Sequence, residues 1–309
     1  MPPAHPLRIA CIGEAMIELS QPDLTTHQAR IGVAGDTLNT AIYLSRLLPG
    51  TVSYLTNLGQ DGLSAQMRGR FRAEGINCSL IGRHDTRLPG LYAIETDSAG
   101  ERSFRYWREN SAARTLFSGI GPTLDDLAQF DVIYLSGITL AILPPDVRSA
   151  LTARLGTLRQ AGTQVIFDSN YRPRLWPDAA TARHACAALW GACGLAFPSY
   201  DDELMLYPGS SPQDVLDRIA AAGVAEIVLK RGATGPLIRQ GSTDIPLTLP
   251  AASHVADTTG AGDAFNAGYL AARLTGAAPG DAATAGHRLA IRVIGQHGAV
   301  IARSDMPLL

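Results

Sequence analysis

The order of hydrophobic and polar positions along this chain predicts strands and helices in alternation. Apolar runs of strand length are followed by segments in which apolar residues recur at helical spacing. The predicted strands are residues 7–12, 52–58, 132–135, 164–167, 195–197 and 227–230. The predicted helices are residues 36–48, 61–74, 144–161, 177–192 and 212–222. This alternation predicts an α/β fold, a mostly parallel doubly wound sheet that binds ligands at the carboxyl ends of its strands.

One region interrupts the alternation. Residues 88–108 contain two strand-like runs, 91–95 and 102–107, around a turn at 97–100, and no helical segment covers them. A two-stranded ribbon is marginal alone, so we expect it to join the segment 14–34 in a small sheet above the main domain. This small sheet is either a lid over a ligand site or a hairpin without a function.

Nothing in the sequence divides the chain into two folding units. There is no linker, internal repeat or low-complexity tract, and 309 residues suit one large α/β domain. We therefore interpret residues 1–309 as a single domain, into which a lid formed by about 14–34 and 88–110 is inserted.

The composition excludes several classes of partner. The formal net charge is −2, and the Lys and Arg residues are dispersed, so no nucleic-acid surface is expected. We find no signal peptide and no apolar run long enough for a membrane span, and we expect a cytoplasmic protein. No histidine pattern indicates zinc. The cysteines lack CxxC spacing and are predicted to be reduced core thiols: Cys11, Cys78, Cys186 and Cys193.

The segment 257–274, DTTGAGDAFNAGYLAARL, has the chemistry of an anion site. Gly260 and Gly262 permit a tight turn without a Cβ to block a ligand. The amides of residues 260–263 would then point outward at the positive end of the following helix, where a phosphate is favoured. Asp263 would repel an anion that was merely bound, but phosphoryl transfer needs a base that orients a hydroxyl against phosphorus.

Other nucleotide motifs do not fit the same letters. A dinucleotide fingerprint needs glycine where this chain has Phe265, and no GxxxxGK[ST] loop occurs. The plainer alternative is a glycine turn with Asp263 as an ordinary capping residue.

DTTGAGDAFNAG, together with GVAGDTLNTA at 32–41, resembles the ribokinase-like (PfkB) family of carbohydrate kinases. Five further segments are similar to the 2-keto-3-deoxygluconate kinases of that family. They are GEAMIELS at 13–20, GDTLNTAIYLSR at 35–46, LPGLYAIETDSAGERSFRYWR at 88–108, YLSGITLAIL at 134–143 and FDSNYRPRLW at 167–176. The likeness spans the chain and implies a ribokinase-like α/β fold with a small β-sheet lid.

The resemblance implies a role for each matching residue. Asp263 would accept the proton of the sugar hydroxyl, next to an anion hole formed by Gly260, Ala261 and Gly262. Because that proton leaves late, Asp263 needs no raised pKa, and near a helix start we expect it to stay ionised. The implied substrate contacts are Gly35, Asp36, Asn39, Tyr92, Tyr106, Arg108, Arg172 and Asp263. The implied nucleotide contacts are Ser199, Lys230, Gly232, Thr234, Gly235, Gly260 and Gly262.

The implied cofactors are ATP and Mg²⁺, with K⁺ as a further family possibility. The family usually shows Asn-x-x-Glu after proline in the magnesium region, whereas Pro198 is followed here by Ser199, Tyr200, Asp201 and Asp202. Asp202 is shorter than the usual glutamate, so we expect it to position the metal through water. The implied monovalent cation site involves Asp257 and Thr259.

Plainer roles remain open for several of these residues. Lys230 could be a solvated lysine at a strand end, and Arg108 a surface arginine whose stem covers apolar neighbours. Asp36 is a good N-cap for its helix, and Asn39 could be only a polar residue on the first turns.

Arginine placement argues for an acidic sugar. A keto sugar acid carries a carboxylate, which planar guanidinium groups bind well, and Arg108 and Arg172 are expected to pair with it. The expected activity is ATP-dependent phosphorylation of 2-dehydro-3-deoxy-D-gluconate to its 6-phosphate in sugar-acid catabolism, by a homo-oligomeric enzyme. The alternatives are a fructokinase-like or ribokinase-like enzyme for neutral sugars, and a non-catalytic sugar-acid sensor on the same fold.

Overall fold

A nine-stranded sheet forms the centre of the computed structural model, which describes residues 6–96 and 102–307. Its strands are β1 (Ile9–Ile12), β4 (Val52–Gly59), β5 (Ile81–His84), β8 (Val132–Ser136), β9 (Gln164–Asp168), β10 (Leu195–Phe197), β11 (Glu226–Leu229), β12 (Leu237–Gln240) and β13 (Thr243–Ile245). Their spatial order is β13-β12-β11-β10-β9-β8-β1-β4-β5. All neighbours run parallel except β11 with β12 and β12 with β13, which are antiparallel.

A separate four-stranded sheet stands beside the large one. It consists of β2 (Met16–Asp23), β3 (Gln28–Ala34), β6 (Gly90–Thr96) and β7 (Arg102–Trp107), in the order β3-β2-β6-β7. The segment after β1 and the ribbon of residues 88–108 therefore do join in one sheet, through the parallel pair of β2 with β6. The predicted turn at 97–100 lies outside the described residues.

Helices cover both faces of the large sheet. They are α1 (Asp36–Leu47), α2 (Gly62–Ala73), α3 (Gly137–Ile142), α4 (Pro145–Gln160), α5 (Ala179–Ala192), α6 (Tyr200–Leu206), α7 (Pro212–Ala221), α8 (Ala261–Leu274) and α9 (Pro279–Ile294). Side chains alternate along β1, so Ile9 and Cys11 pack in the core with α1, α8 and α9, whereas Ala10 and Ile12 pack in the opposite core with α4 and α5. No helix in the described residues is both long and apolar enough to cross a bilayer.

Some helices begin with a side chain that caps their first amides, and others, including α4, α6 and α9, do not. Asp61 accepts hydrogen bonds from two amides at the start of α2, and Ser211 with Asp214 forms a capping box on α7. By contrast, α1 and α8 begin after Gly35 and Gly260, and neither helix has a side-chain cap. Their first amides are therefore not occupied by a capping side chain, which suits helices whose amino ends face a ligand.

The α/β prediction with a small separate sheet is confirmed. The six predicted strands of the large sheet and the five predicted helices are present, with ends that differ by a few residues at most. The prediction that the cysteines lie in the core is confirmed for Cys11, Cys186 and Cys193, which are buried, but not for Cys78, which is half-buried. Strands β5, β12 and β13 and helix α9 were not predicted, nor were the short helices α3 and α6.

Candidate active site

The polar residues of the predicted site gather where the carboxyl ends of β8, β9 and β11 meet the amino ends of α1 and α8. Asp263 lies in the first turn of α8, and its Oδ2 accepts a hydrogen bond of 2.8 Å from Asn39 Nδ2 on α1. The hydroxyl of Thr40 lies 3.2 Å from the Asp36 carbonyl oxygen and 3.3 Å from that of Asp263, and its single proton can be donated to either. Two helices far apart in sequence thus fix the position of this carboxylate.

The turn before α8 has the shape that an anion hole requires. Gly260 has a left-handed φ of 74°, and a Cβ there would lie 2.7 Å from Ala299, so glycine is required. The Ala261 amide donates to the Thr258 carbonyl oxygen at 3.2 Å, so this predicted member of the anion hole is engaged within the turn. Gly260 is the N-cap of α8, and Gly262 and Asp263 follow Ala261 in its first turn, so these amides lie at the amino end of the helix.

The expectation that Asp263 stays ionised is wrong for the ligand-free chain. Burial, reinforced by the Asp36 and Asp168 carboxylates, raises the pKa of Asp263 to about 8. The hydrogen bond from Asn39 and the charge of Lys230 act in the opposite direction but do not compensate. The helix start was expected to keep the carboxylate charged, but two further carboxylates lie close enough to oppose it.

Lys230, at the end of β11, is held by a buried network that sequence reasoning missed. Its Nζ donates to Asp168 Oδ2 at 2.6 Å, and the same oxygen accepts from Asn266 Nδ2 at 2.5 Å. Asn266 also donates to the Tyr134 hydroxyl at 3.0 Å. A Cβ on Gly262 would lie 3.6 Å from Lys230 Nζ, so the ammonium group is next to the amino end of α8. Lys230 is therefore not a simply solvated lysine.

The two residues with plainer alternative roles on α1 both face the site. Asp36 is the first residue of α1 and not its N-cap, which is Gly35, so the capping alternative is wrong. Asp36 Oδ2 accepts from Asn170 Nδ2 at 2.6 Å. Asn39 is buried and oriented toward Asp263, so it positions the base whether or not it also contacts a substrate.

Asp202 faces the site, whereas the next residue does not. Asp202 Oδ2 accepts from the Tyr171 amide at 3.0 Å, and burial raises its pKa to about 6, although the Arg172 charge opposes this. Asp168 is close enough to raise that pKa further. Glu203 instead accepts from Arg218 at 2.6 Å. Asp202 is thus the residue of this motif that is placed among the site carboxylates.

Each predicted carboxylate-binding arginine has its own protein carboxylate in this structure. Arg108 is buried and its Nη2 donates to Glu14 Oε2, so the surface-arginine alternative is wrong. Arg172 has a side chain that is 52% exposed, and its Nη1 lies 3.7 Å from Asp202 Oδ1. In this structure the two arginines therefore pair with different protein carboxylates, Glu14 and Asp202, and not with one shared carboxylate.

Tyr92 and Tyr106 lie on one face of the small sheet. They are cross-strand partners on β6 and β7, and their rings stack with centroids 5.7 Å apart. Tyr92 is buried and donates from its hydroxyl to Glu18 Oε2, whereas Tyr106 is exposed. Burial is the main cause of the raised pKa of Tyr92 and Glu18 adds to it; the Asp263 charge makes a smaller contribution, so this face of the small sheet is near the base.

The segment predicted to contact the nucleotide, which follows β11, forms a tight turn with two glycines at positive φ. Residues Gly232–Thr234 form a 3₁₀ turn, and Gly232 and Gly235 have positive φ values of 53° and 79°. The turn is exposed. Only Arg231 separates it from Lys230, and Ser199 pairs with Lys230 in an isolated bridge.

Asp257 and Thr259 are close together but engaged with each other. Asp257 Oδ1 accepts from the Thr259 amide at 3.0 Å and from its hydroxyl at 2.7 Å, while Oδ2 accepts from the Gly298 amide at 2.8 Å. In the described residues no cluster of three or more His, Cys, Asp or Glu side chains suits a metal.

The strongest signals that could have revealed the missed residues are polar residues that directly follow apolar runs. Asp168 ends β9 and Asn170 follows two residues later, with a positive φ of 28°. Asn266 lies one helical turn after Asp263 and is fully buried. Glu14 follows Gly13 at the end of β1.

Comparison with known proteins agrees with this geometry. The model of the pfkB family carbohydrate kinases matches residues 7–306. A 2-dehydro-3-deoxygluconokinase of Dickeya dadantii (strain 3937) is 46% identical, over 97% of this chain and 98% of that protein. The protein of the same name from Escherichia coli (strain K12) is 44% identical, over 97% and 99%. The crystal structure of a PfkB protein from Polaromonas sp. JS666 superposes with a TM-score of 0.82 at 25% identity, covering 97% of this chain and 98% of that one. The chain belongs to the pfkB family of carbohydrate kinases.

Proposed function

We propose that this pfkB family kinase transfers the γ-phosphoryl group of ATP to the terminal hydroxyl of 2-dehydro-3-deoxy-D-gluconate, giving the 6-phosphate. The observation that carries the proposal is the placement of Asp263. Its carboxylate is fixed by Asn39 in the first turn of α8, where Lys230 and the amino end of the helix would form an anion site. Nearly full-length relatives that carry the name 2-dehydro-3-deoxygluconokinase support this substrate.

In this function the chain contributes mainly position and charge. Asp263 orients the sugar hydroxyl and takes its proton as the bond to phosphorus forms, while Asn39 holds the carboxylate in place. The amides of Gly260 and Gly262 and the Lys230 ammonium receive the negative charge of the phosphoryl group. The exposed turn at Gly232, Thr234 and Gly235 and the backbone near Ser199 would contact the nucleotide.

Mg²⁺ fits the carboxylates at this edge of the sheet. Burial raises the pKa of Asp202 to about 6, and the nearby Asp168 charge raises it further. A divalent cation between the two carboxylates would offset their repulsion and favour the ionised form of Asp202. Magnesium is usually held by one or two carboxylates, phosphates and water, so Asp168 and Asp202 would be sufficient protein ligands beside the nucleotide phosphates. When bound, it would neutralise charge on the phosphates.

A monovalent cation fits less directly. Asp257 and Thr259 offer oxygen atoms, but both Asp257 carboxylate oxygens already accept hydrogen bonds. We propose Mg²⁺ as the required ion and K⁺ as a dependence that a comparison of rates in potassium and sodium salts tests.

The substrate carboxylate would be bound by Arg108 and Arg172. Arg108 lies directly after β7 on the small sheet and Arg172 after β9, so the two approach the site from different layers. We propose that the small sheet closes as a lid, because Tyr92, Tyr106 and Arg108 lie on it without any covering helix. Closure would exclude water that otherwise competes for the phosphoryl group.

We further propose a homo-oligomer, in the cytoplasm where ATP and sugar acids meet. Ile31 and Trp107 are 68% and 59% exposed and, by strand register, lie on the small-sheet face opposite Tyr92. Exposed apolar side chains on one face are typical of an interface between protein chains. Light scattering in solution measures this assembly.

The experiment that tests the proposed function identifies the product. The protein is incubated with MgATP and 2-dehydro-3-deoxy-D-gluconate, and phosphorus-coupled NMR locates the new ester. We expect the phosphate on the terminal carbon and one ADP per product molecule. ADP formation without a sugar phosphate, or phosphate on another carbon, would contradict the proposal.

A further inference from the structure

Glu14 lies where the ends of several strands of the small sheet come together. It lies between β1 and β2, and it is 1% exposed. A Cβ on Gly35, which follows β3, would overlap its carbonyl oxygen. A Cβ on Gly90, the first residue of β6, would lie 2.7 Å from its Oε1. Arg108, which follows β7, donates to its Oε2.

The ion pair between Glu14 and Arg108 is buried but incompletely hydrogen-bonded. Arg108 is 6% exposed and uses Nη2 toward Glu14. In the described part of the chain, the buried Arg108 Nε and Glu14 Oε1 have no hydrogen-bond partner. Buried polar atoms are nearly always paired, so an unpaired guanidinium N–H calls for an acceptor that this structure does not supply.

We propose that Glu14 is a positioning residue that holds Arg108 for the carboxylate of the sugar acid, and thereby determines the preference for acids over neutral sugars. The inference rests on the proposed function and assigns Glu14 a role within it. One carboxylate bonded to Nη2 restrains the orientation of the guanidinium group, and the remaining N–H groups can then donate hydrogen bonds to a second carboxylate. Glu14 lies next to Gly35, Gly90 and Arg108, the residues at which three strands of the small sheet begin or end. Since Gly35 is also the N-cap of α1, Glu14 fixes the position of Arg108 relative to that helix.

The alternative is that Glu14 merely competes with the substrate for Arg108. In that case, removal of its charge would strengthen binding of the acid. The observed geometry favours positioning, because Glu14 occupies one edge of the guanidinium and leaves the buried Nε unpaired.

The test compares Glu14→Gln with the wild type on the sugar acid and on its carboxamide, which has no charge. Loss of a buried charge partner costs ~2 kcal/mol or more, so we expect kcat/KM for the acid to fall at least ~30-fold. The inhibition constant of the carboxamide should change by less than about threefold, within the ordinary scatter of near-neutral contacts. In an Arg108→Met background the same substitution should change acid turnover by less than about threefold, because the residue it acts through is gone.

Controls separate this role from a structural one. Glu74→Gln disrupts another ion-paired carboxylate, which is half-buried and pairs with Arg46 away from the small sheet, and should leave the preference for the acid unchanged. If Glu14→Gln does not fold, Glu14→Asp, which keeps the charge on a shorter side chain, replaces it in the same comparison. Equal losses on acid and carboxamide, tighter binding of the acid, or a full effect without Arg108 would each overturn the proposal. If wild-type protein does not phosphorylate the acid, the proposed function fails instead.

Discussion

Replacement of Asp263 by asparagine should abolish turnover and stabilise the ligand-free protein at alkaline pH. The pKa of Asp263 is raised from 3.8 to about 8, so the folded state disfavours the carboxylate. The stability contributed by the protonated acid is complete below pH 3.8 and is lost as the pH rises toward 8, at ~1.4 kcal/mol per pH unit. The ceiling is ~6 kcal/mol, and because the side chain retains some solvent contact we expect roughly 2 kcal/mol.

Two measurements check this prediction. Urea unfolding of wild type and Asp263→Asn at pH 5 and pH 8 should show the variant gaining stability relative to wild type at the higher pH, by ~2 kcal/mol. The coupled assay should show kcat lower by at least ~10², as expected for a positioned base. Asp201→Asn, an exposed carboxylate outside the site, should show neither effect. A stability difference that does not vary with pH, or near-normal turnover, would refute the reasoning.

Three further predictions concern the metal, the arginines and the small sheet. Asp202→Asn should raise the Mg²⁺ concentration needed for half-maximal rate at least ~10-fold, the scale for removal of a metal-site partner, whereas Asp201→Asn should not; equal requirements would remove Asp202 from the metal site. Arg172→Ala should lower kcat/KM for the sugar acid by ~10-fold to ~30-fold, because the side chain is half exposed, and Arg172→Lys should recover part of this loss; an equal loss on the carboxamide would show another role. Amide exchange in residues 88–96 should slow when sugar acid and a non-hydrolysable ATP analogue bind, and unchanged exchange would contradict a closing lid.

The fold was predictable because hydrophobic periodicity marked each buried strand of the parallel sheet. Strands 52–58 and 132–135, for example, appear at nearly the predicted bounds as β4 and β8. The antiparallel edge, β12 with β13, was missed because its short strands alternate with polar residues and carry no distinctive apolar run. Helix α9 was missed because the first half of its buried face consists of small residues, such as Ala282, Ala283 and Gly286, which give a weak hydrophobic pattern.

The site was predictable where a motif marks it and not where partners are distant in sequence. Asp263 and Lys230 were identified from glycine turns, but the contact of Asn39 with Asp263 spans 224 positions and that of Glu14 with Arg108 spans 94. The prediction that Asp263 stays ionised was wrong for the same reason, because its pKa depends on the Asp36 and Asp168 carboxylates, which only the folded chain brings close. Local sequence rules describe turns and helix ends, whereas electrostatics is set by the tertiary structure.

Substrate preference tests the central claim most directly. ADP release is measured with saturating MgATP across 2-dehydro-3-deoxy-D-gluconate, fructose and ribose, and kcat/KM is compared. Because Arg108, which is buried, and Arg172, which is half exposed, would have no substrate carboxylate to bind in a neutral sugar, we predict a kcat/KM at least ~10²-fold higher for the acid. Equal or higher kcat/KM for fructose or ribose would contradict the account.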